Sequence, residues 1–119
     1  MAVGMLAITA ARGAKAPDIV VSIRYRVSEN NVEKLNTTMT DPLERLLRKL
    51  DRVAQINVSI THHIVEVELE FKGETTKDDL ATVTSALDQL SFGADLQIIS
   101  RTIELRPPRM RYDEVQARP

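Results

Sequence analysis

Residues 18 to 27 alternate along the chain. Ile19, Val21, Ile23, Tyr25 and Val27 fall on one side, and Ser22, Arg24 and Arg26 on the other. Period two is the signature of a half-buried strand. The spacing then changes to three and four: Val32, Leu35, Met39, Leu43, Leu46, Leu47, Leu50 and Val53 keep one apolar stripe in helical phase. Two effects compete at Pro42. Asp41 as cap, Pro42 as first helical residue and Glu44 behind it would start a fresh helix. The unbroken stripe favours one helix kinked at Pro42, because burying a shared face outweighs a single cap. Ile56, Val58 and Ile60 alternate again, as do Val65, Val67, Leu69 and Phe71. Pairing Ile60 with Val65 leaves His62-His63 as a two-residue hairpin turn; its chemistry is weak, and a longer loop is the alternative. Thr76 with Asp79 reads as a cap ahead of Leu80, Val83, Leu87 and Leu90, and Gly93 as the stop of this second helix. The last strand is expected over about residues 95–105, with a bulge or a change of covering partner where the apolar phase slips between Ile98 and Ile99.

Strand, helix, strand, strand, helix, strand, joined by right-handed crossovers, is the α+β, ferredoxin-like βαββαβ sandwich. It predicts a four-stranded antiparallel sheet, in the order fourth, first, third, second, with both helices on one face. The expected organisation is an N-terminal extension over residues 1–16, the domain over 17–105, and a flexible basic tail over 106–119 in which Pro107 and Pro108 favour an extended chain. Residues 1–10 are mildly apolar but too short to span a bilayer. They read as a frayed end or an edge strand, or else as the last part of a truncated membrane helix or export signal.

Composition then removes several kinds of function. Sixteen Lys and Arg against 17 Asp and Glu leave a net charge of −1, which argues against a general polyanion binder. With no Cys there is no disulfide, thiolate metal site or cysteine nucleophile. No Trp, two Phe and two Tyr make the core aliphatic. The open face of the sheet would carry Arg24 and Arg26 on the first strand beside Glu66, Glu68 and Glu70 on the third. These charges either cross-pair as a solvated lattice or dock a protein partner. Lacking aromatic residues, that face does not suit base stacking of the RNA-recognition kind, and no nucleic-acid partner is expected. His62 and His63 have no third His beside them, so a turn or surface role is expected, and no metal site or cofactor. Asp41, Glu44, Asp78 and Asp79 suit the first turns of helices, and no nucleophile–base pair can be named, so the reading is non-catalytic. Arg106, Arg109 and Arg111 form either a solvated tail or a short partner-binding arm.

Several of these segments resemble, in the same order, segments of one known family. Pro17-Asp18-Ile19-Val20-Val21-Ser22-Ile23-Arg24-Tyr25, then Val32-Glu33, Thr40-Asp41-Pro42-Leu43-Glu44, Val65-Glu66-Val67-Glu68-Leu69-Glu70-Phe71, and Asp78-Asp79 onward follow one another in order. Over about residues 17–91 the chain resembles the first porter subdomain of resistance-nodulation-division efflux pumps. Arg26-Val27 and His62-His63 depart from it, standing where that family has glycine-containing turns. The resemblance implies the same fold and a habit of packing against similar subdomains; without the family's membrane helices, transport by this chain alone is not expected. The leading expectation is therefore a protein–protein association module, a homo-oligomer with no membrane insertion of its own. It would be cytoplasmic, or periplasmic if the chain is a piece of a transporter-like protein. The alternative is a small-molecule-sensing regulatory domain of the ACT-like kind, with Ser28, Asn30 and Asn31 supplying polar contacts at a helix entrance. The same three residues also explain an ordinary helix start.

Overall fold

The computed structural model describes residues 19–109. Their order is β1 (Val20–Val27), a three-part first helix, β2 (Val53–Thr61), β3 (Ile64–Phe71), a second helix and β4 (Ile98–Arg106). The strands form one antiparallel sheet in the order β2-β3-β1-β4. The architecture is α+β, a four-stranded antiparallel sheet with two helices, and is compatible with a ferredoxin-like fold. Expectations for residues 1–18, and for the tail beyond Arg109 with Arg111, lie outside the described residues.

Val21, Ile23, Tyr25 and Val27 of β1 and Val65, Val67, Leu69 and Phe71 of β3 are all buried in one cluster. Leu35, Met39, Leu43 and Leu47 of the first helix and Val83 and Leu87 of the second complete it. Alternation thus selects the core side of both central strands. At the rim the patterns fail: Ile19, at the start of the β1 alternation, and Val32, at the start of the helical stripe, are both exposed.

The first helix runs through Pro42 without a break. It comprises α1 (Val32–Leu35), a π-helical turn (Asn36–Thr40) and α2 (Asp41–Leu47), with right-handed backbone angles at Leu35, Asn36, Thr40 and Asp41. The Asp41 amide donates to the Asn36 carbonyl, the five-residue step that defines a π turn. Two sequence features account for it. Pro42 has no N–H and its ring crowds the preceding turn, so the ladder must open there. The four buried residues, moreover, are spaced by four three times over. At about 100° per residue, twelve residues turn three times and about 120° too far. A π turn absorbs one residue, removing about 100° of that drift and bringing Leu35 and Leu47 onto one face. The Thr40 hydroxyl, donating to the Asn36 carbonyl at 2.9 Å, helps to satisfy the opened turn.

The β2–β3 register is the one the alternation requires: Ile60 faces Val65, Val58 faces Val67, and Ile56 faces Leu69. His62-His63 is the two-residue turn, but only His63 has positive φ, at 60°. Tertiary contacts hold it. The Val27 amide donates to the His63 carbonyl at 2.9 Å, and His63 Nδ1 lies 3.2 Å from the Val27 carbonyl oxygen. The second helix, α3 (Lys77–Asp88), opens on the capping box expected from Thr76 and Asp79. It ends at Asp88, so Gly93 (φ 100°) does not stop it; Gly93 turns the loop beyond, and the last turn closes through the Leu90 amide on the Leu87 carbonyl. β4 begins at Ile98, later than expected. The slip is a bulge: Arg26 faces Ser100 and Val27 faces Ile98, leaving Ile99 as the extra residue.

One polar cluster joins the helix ends to the sheet. Arg52, with φ 69° before β2, is ion-paired with Asp79 in the first turn of α3. Arg52 Nη1 also donates to the Lys72 carbonyl at 2.7 Å, and its guanidinium stands 5.6 Å from the centre of the Phe71 ring.

Candidate functional site

Ser28, Asn30 and Asn31 follow β1, where the chain turns into α1. The Ser28 amide donates to the Gln97 carbonyl at 3.0 Å, tying this loop to the chain entering β4. Asn31 is the cap of α1; its Oδ1 accepts from the Lys34 amide at 2.9 Å. The Asn30 and Asn31 amides donate to Glu29 Oε2 at 3.2 and 3.0 Å. The Asn31 side chain is thus engaged in starting the helix, while the Ser28 amide ties the loop to the chain ahead of β4.

A pocket of about 130 Å³ nevertheless opens beside them, lined by Glu29, Lys34, Thr38 and the loop Phe92-Gly93-Ala94-Asp95-Leu96. None of the three residues named from sequence lines it. Glu29 and Lys34, 3.4 Å apart, set opposite charges on its wall. The Asn31 amide, together with Lys34 and the Asn30 amide, holds the Glu29 carboxyl below its ordinary value. The sequence marked neither residue, because a helix-entrance Glu and Lys carry no signal until the 92–96 loop is folded against them. Phe92 meets the buried Tyr25 edge-on with ring centres 5.5 Å apart. Burial pushes the Tyr25 phenol above its ordinary value against the opposing pull of Arg101, whose guanidinium donates to Asp88 at 2.8 Å.

The open face contains the other candidates. Arg24 stands opposite Glu66 on β3 and Thr102 on β4, Ser22 is opposite Glu68 and Glu104, and Arg26 is opposite Ile64 and Ser100. Among the described residues the β1–β3 register thus sets Arg24 directly opposite a glutamate, while Arg26 faces Ile64. The ion pair of Glu66 goes instead to the tail: Arg109 Nη1 lies 3.1 Å from Glu66 Oε2. The Arg109 amide donates to Glu68 Oε2 at 2.8 Å, and Glu68 is only 1% exposed. Arg106 stays at the end of β4, 3.6 Å from Glu104. Of the residues named as a partner surface, the structure brings together Glu66, Glu68 and Arg109; Glu70 shares their face of β3.

His62 and His63 occupy the hairpin turn, and among the described residues no group of three or more His, Asp and Glu side chains is placed to hold a metal ion. No described helix is long and apolar enough to cross a membrane. No protein-family model matches the chain, and neither a curated protein nor a solved structure is significantly similar to it.

Proposed function

We propose that the chain is a ferredoxin-like, non-catalytic association module that pairs with copies of itself, as its resemblance to an efflux-pump porter subdomain implies. The observation that carries this reading is the outer edge of β4. Among the described residues its one sheet partner is β1, so its nine residues form an edge of the described sheet, and Ile98 and Ile99 at its start are 39% and 59% exposed. An edge strand with apolar residues at one end is a template for strand addition, and a two-fold pair is the commonest way to close it. Multi-angle light scattering is expected to give twice the 13.3 kDa chain mass. A lysine in place of Ile99 should shift the population to the single chain. A strict monomer at the highest soluble concentration removes this reading.

A second reading, a small-molecule sensor of the ACT-like kind, is favoured by the pocket with Glu29 and Lys34 on its wall. Opposite charges flanking a small cavity suit a zwitterion such as an amino acid. A ligand bound only by the folded chain raises its melting temperature. Under this reading at least one amino acid does so, and the effect disappears in Lys34→Met; a screen without stabilisation rejects it.

A further inference from the structure

We propose that the open face of the sheet, at Glu66 and Glu68, is a binding surface for an extended, arginine-bearing peptide segment, and that residues 107–109 of the chain itself occupy it in cis. The inference does not depend on pairing through β4. Arg106 ends β4 at the edge of the sheet, yet Arg109 bonds to β3, two strands away. That separation is about 10 Å, and three residues extended span about 10 Å. Three residues are thus long enough for the crossing, and Pro107 and Pro108 favour the extended backbone it uses. On the way the chain has to pass β1, where Val20 and Ser22 are both buried on the same face.

Recognition has two parts. Glu68 accepts a backbone N–H at 2.8 Å, which any extended residue other than proline can supply. Glu66 accepts the guanidinium at 3.1 Å, which selects a cation with directed donors. The two carboxylates are two residues apart on β3 and so point to the same side. Taking a carboxylate out of water is costly without directed bonds, and the Arg109 amide supplies one to Glu68. Arg24 faces Glu66 across the strand pair, yet the guanidinium paired with Glu66 comes from outside the sheet. A segment tethered three residues away has a high effective concentration, so a partner of the same chemistry must displace it.

The test uses the full chain and a fluorescent peptide with the sequence of residues 105–111. Arg109→Ala frees Glu66 while leaving the sheet intact, and should bind the peptide about tenfold more tightly than the wild type. Adding Glu66→Gln to that variant should take about tenfold away again. Equal binding to wild type and Arg109→Ala, or equal binding of the same peptide with its arginines replaced by glutamine, overturns the proposal. If Arg109→Ala does not fold, amide hydrogen exchange on the wild type replaces it. Peptide titration should then deprotect the Arg109 amide, and unchanged protection at saturating peptide overturns the proposal equally. A wild-type dimer that Arg109→Ala dissociates would mean that copies exchange the segment, and the cis assignment would fall.

Discussion

Replacing Leu47 by alanine is expected to lower the unfolding free energy by about 2–5 kcal/mol, measured by urea denaturation. Leu47 is wholly buried in the last turn of α2, in the cluster that joins β1, β3 and α3. Truncation removes the transfer energy of three carbons and leaves a cavity, and the sheet beneath is too constrained to close it. A control lies in the same apolar run. Val32 is 50% exposed at the start of α1, so Val32→Ala should change stability by under about 0.5 kcal/mol. The contrast checks the π turn as well as the core. An unbroken α-helix would rotate Leu47 away from the face that Leu35 occupies. A loss below about 1 kcal/mol on Leu47→Ala would place that residue outside the core.

That pair of residues also marks where the sequence is legible. Alternation on β1, β2 and β3 gave the strands, and with them the hairpin register, because a slip of one residue would turn Val65, Val67 and Leu69 out of the core. The helical phase through Pro42 was equally plain. The π turn was not legible: the stripe reads as a kinked helix, and only the buried set Leu35, Met39, Leu43 and Leu47 isolates three spacings of four that a straight α-helix cannot keep on one face. Other features needed contacts between distant parts of the chain. His63 adopts positive φ because β1 grips its peptide and ring through Val27, a partner 36 residues away that no turn propensity records. Gly93 looked like a helix stop, but the helix had already closed on Leu87. The candidate sites were the least legible. Ser28, Asn30 and Asn31 stand out by polarity, but the Asn31 side chain caps α1, and the charged residues on the pocket wall include Glu29 and Lys34. On the open face the glutamates were found but their partner was not, since the tail crossing from β4 to β3 is a tertiary event.

Asp79→Asn is expected to cost about 1–3 kcal/mol at neutral pH, and the cost should shrink as the solution is acidified. Asp79 is a buried acid with three partners: the Thr76 amide at 2.9 Å, the Thr76 hydroxyl at 3.3 Å, and the Arg52 guanidinium. Burial alone would raise its pKa; the Thr76 amide and Arg52 together outweigh that and hold the carboxyl below its ordinary value. Asparagine keeps an oxygen for Thr76 but either turns a second donor toward Arg52 or gives up the cap. Arg52 remains 45% exposed, so water compensates part of the loss, and the cost stays below that of breaking a fully buried pair. The sign of the pH dependence follows from the depressed pKa. Unfolded Asp79 takes up its proton near its ordinary value, about 4, whereas the folded chain resists until the pH is lower. The contribution of the carboxylate is therefore complete above about pH 4 and declines below it as the pH passes through the folded value. Urea melts of both proteins at pH 7 and at about pH 3 should show the gap between them narrowing. A gap that stays constant would mean that Asp79 titrates alike in both states, and that its bonds to Thr76 and Arg52 do not favour the charged form. Arg52→Gln removes the positive charge from the other side, and in a double-mutant cycle with Asp79→Asn the two losses should fall short of additive. Strict additivity would assign the loss to the cap alone and leave the link between the start of β2 and α3 without energetic weight.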